Sequence, residues 1–247
     1  MHYSPTREEV FEAARAAISI FTSHGFSCCI VGGLGCTLFG NGRTPNDVDL
    51  VVLNTICDQE SLKYILTDHP GSRFYSVPAK TIGATYRVLW YRVSEYYRYR
   101  SCKVDILQPG IMNIPSIPSE HIISIDGLPV MPLIPLIILK LQAWEDHRDA
   151  TKSYLNSKQH TDAADLARLL PIAIRRGDNV RRESWLPQTF VEAARRRLKR
   201  YLGHFPAQAQ EWKQIGLTVE AGHFAPEQRT RRGPETGLEI AFDKLRL

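Results

Sequence analysis

Residues 31–50 read VGGLGCTLFGNGRTPNDVDL, which puts a glycine pair, an Arg-Thr and an Asp-Val-Asp into one short stretch. Most of it is poor core material, because glycine loses backbone entropy on folding and buried carboxylates are costly unless something pairs with them. In a strand, successive side chains point to opposite faces, so Asp47 and Asp49 project the same way while Val48 enters the core. Two carboxylates held a few ångströms apart repel each other, and a divalent cation relieves that repulsion. Mg²⁺ takes hard oxygen ligands, often one or two carboxylates completed by substrate phosphates and water. A third acid, Asp105, sits in Lys103-Val-Asp-Ile-Leu107 between apolar residues on a predicted strand. If that strand neighbours the one carrying Asp47 and Asp49, three carboxylates converge, enough for two bridged metal ions.

The glycine pair supplies the other half of a site. A turn without side chains that leads into a helix start presents backbone N–H groups to an anion. A nucleotide triphosphate would then lie between Gly32 and Gly33 on one side and metal ions on the other. One cation would lower the pKa of an attacking hydroxyl, and the other would neutralise the leaving pyrophosphate. Arg43 would hold an acid in place or touch phosphate.

Outward from this stretch, Thr6 to Ser23 reads as a helix: Thr6 caps it, Glu8 and Glu9 suit its first turn, and Gly25 ends it. Ser27–Val31 and Val48–Leu53 read as strands, with a short helix over Leu34–Phe39 between them, and Ser61–Thr67 forms part of another helix. Arg73–Val77, Thr85–Val93 and Lys103–Leu107 are rich in aromatic and β-branched residues and read as strands. Tyr86, Trp90, Tyr91, Tyr96, Tyr97 and Tyr99 are expected to pack that sheet. Prolines at 109, 115, 118, 129, 132 and 135 exclude one regular element there. Helical periodicity then covers Leu136–Ala150, Thr161–Ile174 and Thr189–Leu202. The expected organisation is an α/β (α+β) domain over 1–130, a helical domain over 131–221 and an extended tail over 222–247.

The bulk numbers narrow the class. Apolar residues make up 43% of the 247, enough for a core, and no stretch approaches the eighteen uninterrupted apolar residues of a membrane span. The opening residues are polar and acidic, unlike a signal peptide. Five cysteines, two of them adjacent at Cys28 and Cys29, form no spaced framework, so buried reduced thiols in an intracellular, cytoplasmic setting are expected. The net charge of +5 lies in the second half, where residues 121–247 hold 20 basic and 15 acidic side chains against 11 of each before them. Such asymmetry suits a polyanionic partner as well as plain solubility. The run Arg195-Arg-Arg-Leu-Lys-Arg200 is read as a solvated helix face, with contact to RNA phosphates as the sharper alternative. His147 and His160 lack the spacing of zinc ligands and read as helix-surface residues.

Gly32-Gly33, a spacer and then Asp47-Val48-Asp49-Leu50, with Asp105 on a later strand, resembles the nucleotidyltransferase superfamily that shares the DNA polymerase β palm. The resemblance covers roughly residues 27–108. It implies a mixed sheet with flanking helices, bound Mg²⁺ (or Mn²⁺), and transfer of a nucleoside monophosphate from an NTP to a hydroxyl acceptor. Where the family often has serine, this chain has Gly33, a variant the family also contains. Downstream, Leu139-Lys140-Leu141, then Arg148, Lys152 and Lys158, then Asp162-Ala-Ala-Asp165-Leu166 is similar to the helical half of the abortive-infection, toxin-type nucleotidyltransferases. That comparison puts Lys140 and Lys158 near the triphosphate, with Asp162 and Asp165 positioning a base or closing a contact. A long polar insertion between Trp144 and His160 leaves either Lys152 or Lys158 as the matching basic residue.

Two functions fit these residues. The first is a metal-dependent nucleotidyltransferase with Asp47, Asp49 and Asp105 at its centre and an RNA end such as tRNA, a protein or a small molecule as acceptor. The second is a non-catalytic module that keeps the fold and binds nucleotide or RNA. Three mutually repelling carboxylates favour the enzyme.

Overall fold

The computed structural model describes residues 3–54, 56–80, 83–97 and 99–219. The tail expected over 222–247 lies outside them. The chain forms two compact units, one running to Leu136 and the next beginning at Ile137.

The first unit is a mixed α/β layer. Helix α1 (Arg7–Ser23) starts at Thr6, whose side chain accepts from the Glu9 N–H while the Glu9 carboxylate accepts from the Thr6 N–H. This reciprocal cap satisfies two donors that a helix start otherwise leaves open. The buried face of α1 carries Val10, Ala13, Ala14, Ala17 and Phe21, recurring at helical spacing. Strand β1 (Cys28–Ile30) follows, then α2 (Gly32–Leu38), β2 (Asp47–Val52), α3 (Gln59–Asp68), β3 (Phe74–Pro78), β4 (Arg87–Arg92) and β5 (Ser101–Leu107). Helix α2 begins at Gly32, two residues earlier than the periodicity predicts, because the glycine pair is itself the first turn.

Two further strands, β6 (Ile123–Ile125) and β7 (Leu128–Val130), come from the proline-rich stretch, where one continuous element is excluded and no particular strand is predicted. Their hairpin turn is Asp126-Gly127, both at positive φ (51° and 73°). That is the conformation a tight two-residue hairpin demands and an Asp-Gly pair supplies. The described strands form one sheet in the order β3-β4-β5-β2-β1-β7-β6. Strand β2 is antiparallel to β1 and parallel to β5, which places the acid-bearing strands side by side at the centre. Free cysteines 28, 29, 36 and 102 are buried.

One expectation about the aromatics fails. Tyr91 is buried, but Tyr96 and Tyr99 are 89% and 71% exposed. Strand β4 stops at Arg92, so these tyrosines belong to the connection to β5 rather than to the sheet.

The second unit is helical: α4 (Leu133–Asp149), which carries the chain across from the first unit, then α5 (Ser153–Asn156), α6 (Lys158–Arg176), α7 (Gln188–Leu202) and α8 (Ala209–Gln214). Its core is aromatic. Tyr201 stacks near Trp144 and Phe205 at ring-centroid distances of 4.9 and 4.6 Å, and Trp212 is fully buried beside it. Among the described residues, no helix is long and apolar enough to cross a membrane.

Candidate active site

The register of the two central strands builds the site. Asp49 pairs with Asp105 and Asp47 with Lys103 across the parallel β2–β5 ladder. Residues opposite each other share a face of the sheet, as do residues two apart along one strand. All four charged side chains therefore stand on one face, while Val48, Leu50, Val104 and Ile106 fill the other and are buried. The three acids are brought together as the apolar–acid alternation predicts.

Gly32 and Gly33 are shaped around two of these charges rather than around empty space. Gly32 has φ +59°, a left-handed conformation that side chains resist. A Cβ there would also lie 2.6 Å from the carboxyl carbon of Asp49 and 2.9 Å from its Cβ, and closer still to Oδ2. Backbone and neighbour both require glycine, and the vacancy is filled by the Asp49 carboxylate. Gly33 makes the equivalent room for Arg43, whose guanidinium carbon would sit 3.3 Å from an added Cβ. The loop holding Arg43 is tied down: the Thr37 hydroxyl lies within hydrogen-bond reach of the carbonyls of Gly33 and Arg43, at 3.0 and 2.8 Å, and the Arg43 N–H donates to Asn41 Oδ1. Arg43 thus lies over the first turn of α2, beside the carboxylates.

Lys103 is the member that motif reading missed, although it stands in the pentapeptide quoted for Asp105. Its Nζ lies 3.0 Å from Asp105 Oδ2, and both side chains are about nine-tenths buried. Burial pushes the Asp105 carboxyl up to about 7; Lys103 opposes this, while the negative charges of Asp49 and Asp47 add to it. The same negative field, after burial, contributes to raising the Cys102 thiol. Asp47 and Asp49 are half-exposed. They are hard oxygen donors on one face, a pair of the kind that holds Mg²⁺ with phosphates and water completing the shell. Among the described residues, no three His, Cys, Asp or Glu side chains are gathered as a ready metal cage.

The second unit holds a separate charged cluster. Lys140 on α4 lies 3.1 Å from both Asp162 Oδ1 and Asp165 Oδ2 on α6. His147 Nδ1 is 2.5 Å from Asp162 Oδ2. His147 is buried, not a surface residue as its isolated position suggested, because it lies seven residues after Lys140 on the same face of α4. Burial would push the Asp162 carboxyl up, but Lys140 and His147 together hold it below the usual range. Lys158 and Lys152 are exposed, at the first turn of α6 and before α5. In the basic run, Arg200 reaches Glu145 and Asp149 and Arg197 reaches Glu145, while Arg195, Arg196 and Lys199 are exposed.

No family model matches this sequence, and no curated relative matches it. Solved structures nevertheless share the fold. The antigenic nucleotidyltransferase-like protein from Paracoccidioides brasiliensis aligns with a TM-score of 0.63 at 13% identity, covering 89% of this chain and 97% of that one. JHP933 from Helicobacter pylori aligns with a TM-score of 0.50 at 13% identity, covering 96% and 88%. The chain has a nucleotidyltransferase-like fold, and at such identity the likeness is one of fold.

Proposed function

We propose that the chain is a metal-dependent nucleotidyltransferase that moves a nucleoside monophosphate from an NTP to a hydroxyl acceptor and releases pyrophosphate. The observation that carries this reading is the β2–β5 register. It sets Asp49 against Asp105, with Asp47 on the same face and Gly32 hollowed around the Asp49 carboxylate.

Asp47, Asp49 and Asp105 would hold Mg²⁺ or Mn²⁺, which supplies neutralisation of the leaving pyrophosphate and a more acidic acceptor hydroxyl. The residues themselves do the rest. Gly32 and Gly33 let the Asp49 carboxylate and the Arg43 guanidinium close onto the first turn of α2, and that guanidinium is suited to paired phosphate oxygens. The acceptor oxygen bonds to the α-phosphorus as the bond from that phosphorus to the pyrophosphate oxygen breaks. The hydroxyl proton passes to the Asp105 carboxylate. From the resemblance, Lys140 and Lys158 are proposed as further phosphate ligands. For the acceptor, the exposed Arg195, Arg196 and Lys199 favour RNA.

Incubation with each α-labelled NTP and Mg²⁺ or Mn²⁺, with tRNA as acceptor, tests the reaction. Label transfer is expected from the wild type and is expected to vanish in Asp49→Ala. Transfer that survives that substitution refutes the assignment.

A further inference from the structure

Lys103 is an unusual neighbour for metal-binding carboxylates. Its ammonium already lies 3.0 Å from Asp105 Oδ2, in a pair nine-tenths buried, directly across the ladder from Asp47. A buried ammonium is retained only where carboxylates neutralise it, and a buried carboxylate likewise needs its cation. Each therefore holds the other in place. The pair also competes with any cation that would take Asp105 as a ligand, since Oδ2 is already engaged.

We propose that Lys103 is a resident counter-cation that stands in for one of two metal ions, so that Asp47 and Asp49 alone bind a single divalent cation. The inference rests on the metal-dependent reading above and narrows it: of the three carboxylates given there to the metal, Asp105 goes to Lys103, and two bridged metals become one. Charge balance supports it. Lys103 and Arg43 already set two positive charges against the three carboxylates, so one divalent cation more than balances the cluster and a second would overload it. The arrangement of side chains agrees, because Asp105 turns to Lys103 rather than closing a three-acid cage with Asp47 and Asp49. Lys103 is then a positioning residue: it fixes and neutralises Asp105 and leaves that carboxylate beside the metal rather than on it.

Mn²⁺ alone is the probe, titrated into the full chain without nucleotide and counted by the loss of the free-ion electron paramagnetic resonance signal. One bound Mn²⁺ per wild-type chain is expected, with affinity falling at least tenfold in Asp49→Ala. Asp105→Asn should keep one Mn²⁺ within about twofold of the wild-type affinity. Lys103→Met, which keeps the length and removes the charge, should gain a second, weaker Mn²⁺. Circular dichroism identifies folded variants, and if Lys103→Met unfolds, Lys103→Gln replaces it. Two Mn²⁺ ions on the wild type, or a tenfold loss of affinity in Asp105→Asn, overturn the inference and leave the metal-dependent reading standing. Absence of binding that Asp49→Ala does not alter overturns both.

Discussion

Gly32→Ala tests the geometry of the site independently of catalysis. Two costs can be worked from the structure. At φ +59° an alanine takes on the left-handed penalty, about 1–2 kcal/mol. Its Cβ would also sit 2.6 Å from Cγ of Asp49, so the carboxyl group or the strand must move, and overpacking of this kind costs about 1–3 kcal/mol. Together they predict a loss of about 3.5 kcal/mol in urea unfolding. The two terms separate in a double-mutant cycle with Asp49→Gly, which removes every atom the new Cβ meets on that residue. In that background Gly32→Ala should cost only its backbone part, about 1.5 kcal/mol, leaving a coupling of about 2 kcal/mol between the positions. Coupling is expected only for groups in contact. A cycle that closes to within about 0.5 kcal/mol would mean that Asp49 does not fill the space at Gly32, and the account of the glycine pair would fail with it.

The second unit offers two tests. Asp162→Ala removes the partner of His147 and one of the two carboxylates on Lys140. Breaking a buried pair from one side costs about 3 kcal/mol, measured by chemical unfolding at pH 7. Because the folded Asp162 carboxyl lies below its unfolded value, its contribution is present above the unfolded pKa and fades as pH falls through the folded one; the gap between wild type and variant should shrink in acid. Asp146 runs the other way. Burial raises its carboxyl to about 6 against the opposing Arg197, and its Oδ2 is buried without a hydrogen-bond partner. A raised carboxyl favours the fold below its unfolded pKa, and that advantage is lost as pH rises through about 6. Asp146→Asn should therefore stabilise the chain at pH 8 by up to about 3 kcal/mol and change little at pH 4. Equal effects at both pH values would contradict the assignment.

What could be read from the sequence follows from which physical signals lie within one element. Asp47 and Asp49 declare a shared face through the two-residue period of a strand, and the apolar flanks of Asp105 declare a buried partner strand. The same period puts Lys103 on the face of Asp105, but nothing within the strand says that the lysine, rather than a cation from solution, pairs with that acid. The β6–β7 hairpin carries a signal too, in Asp126-Gly127, but the prolines around it break up the alternation that marks a strand. His147 was misjudged because burial of a polar group depends on a partner from another helix. Lys140 and His147 share a face of α4, and Asp162 and Asp165 share one of α6, but no pattern in either segment says that the two faces meet.

The two charged clusters also differ in a way that only their partners reveal. In the second unit, two buried carboxylates meet a lysine and a histidine, and these contacts lie within the protein. In the first unit, three carboxylates meet Lys103, with Arg43 beside them over Gly33. Asp105 is buried against Lys103, whereas Asp47 and Asp49 on the same face are half-exposed. Buried charge that a protein pairs internally is structural by default, whereas carboxylates on one face within reach of solvent can take a cation from outside. That asymmetry, rather than the number of acids in the motif, is why the catalytic carboxylates are assigned to the β2–β5 face and not to the α4–α6 cluster.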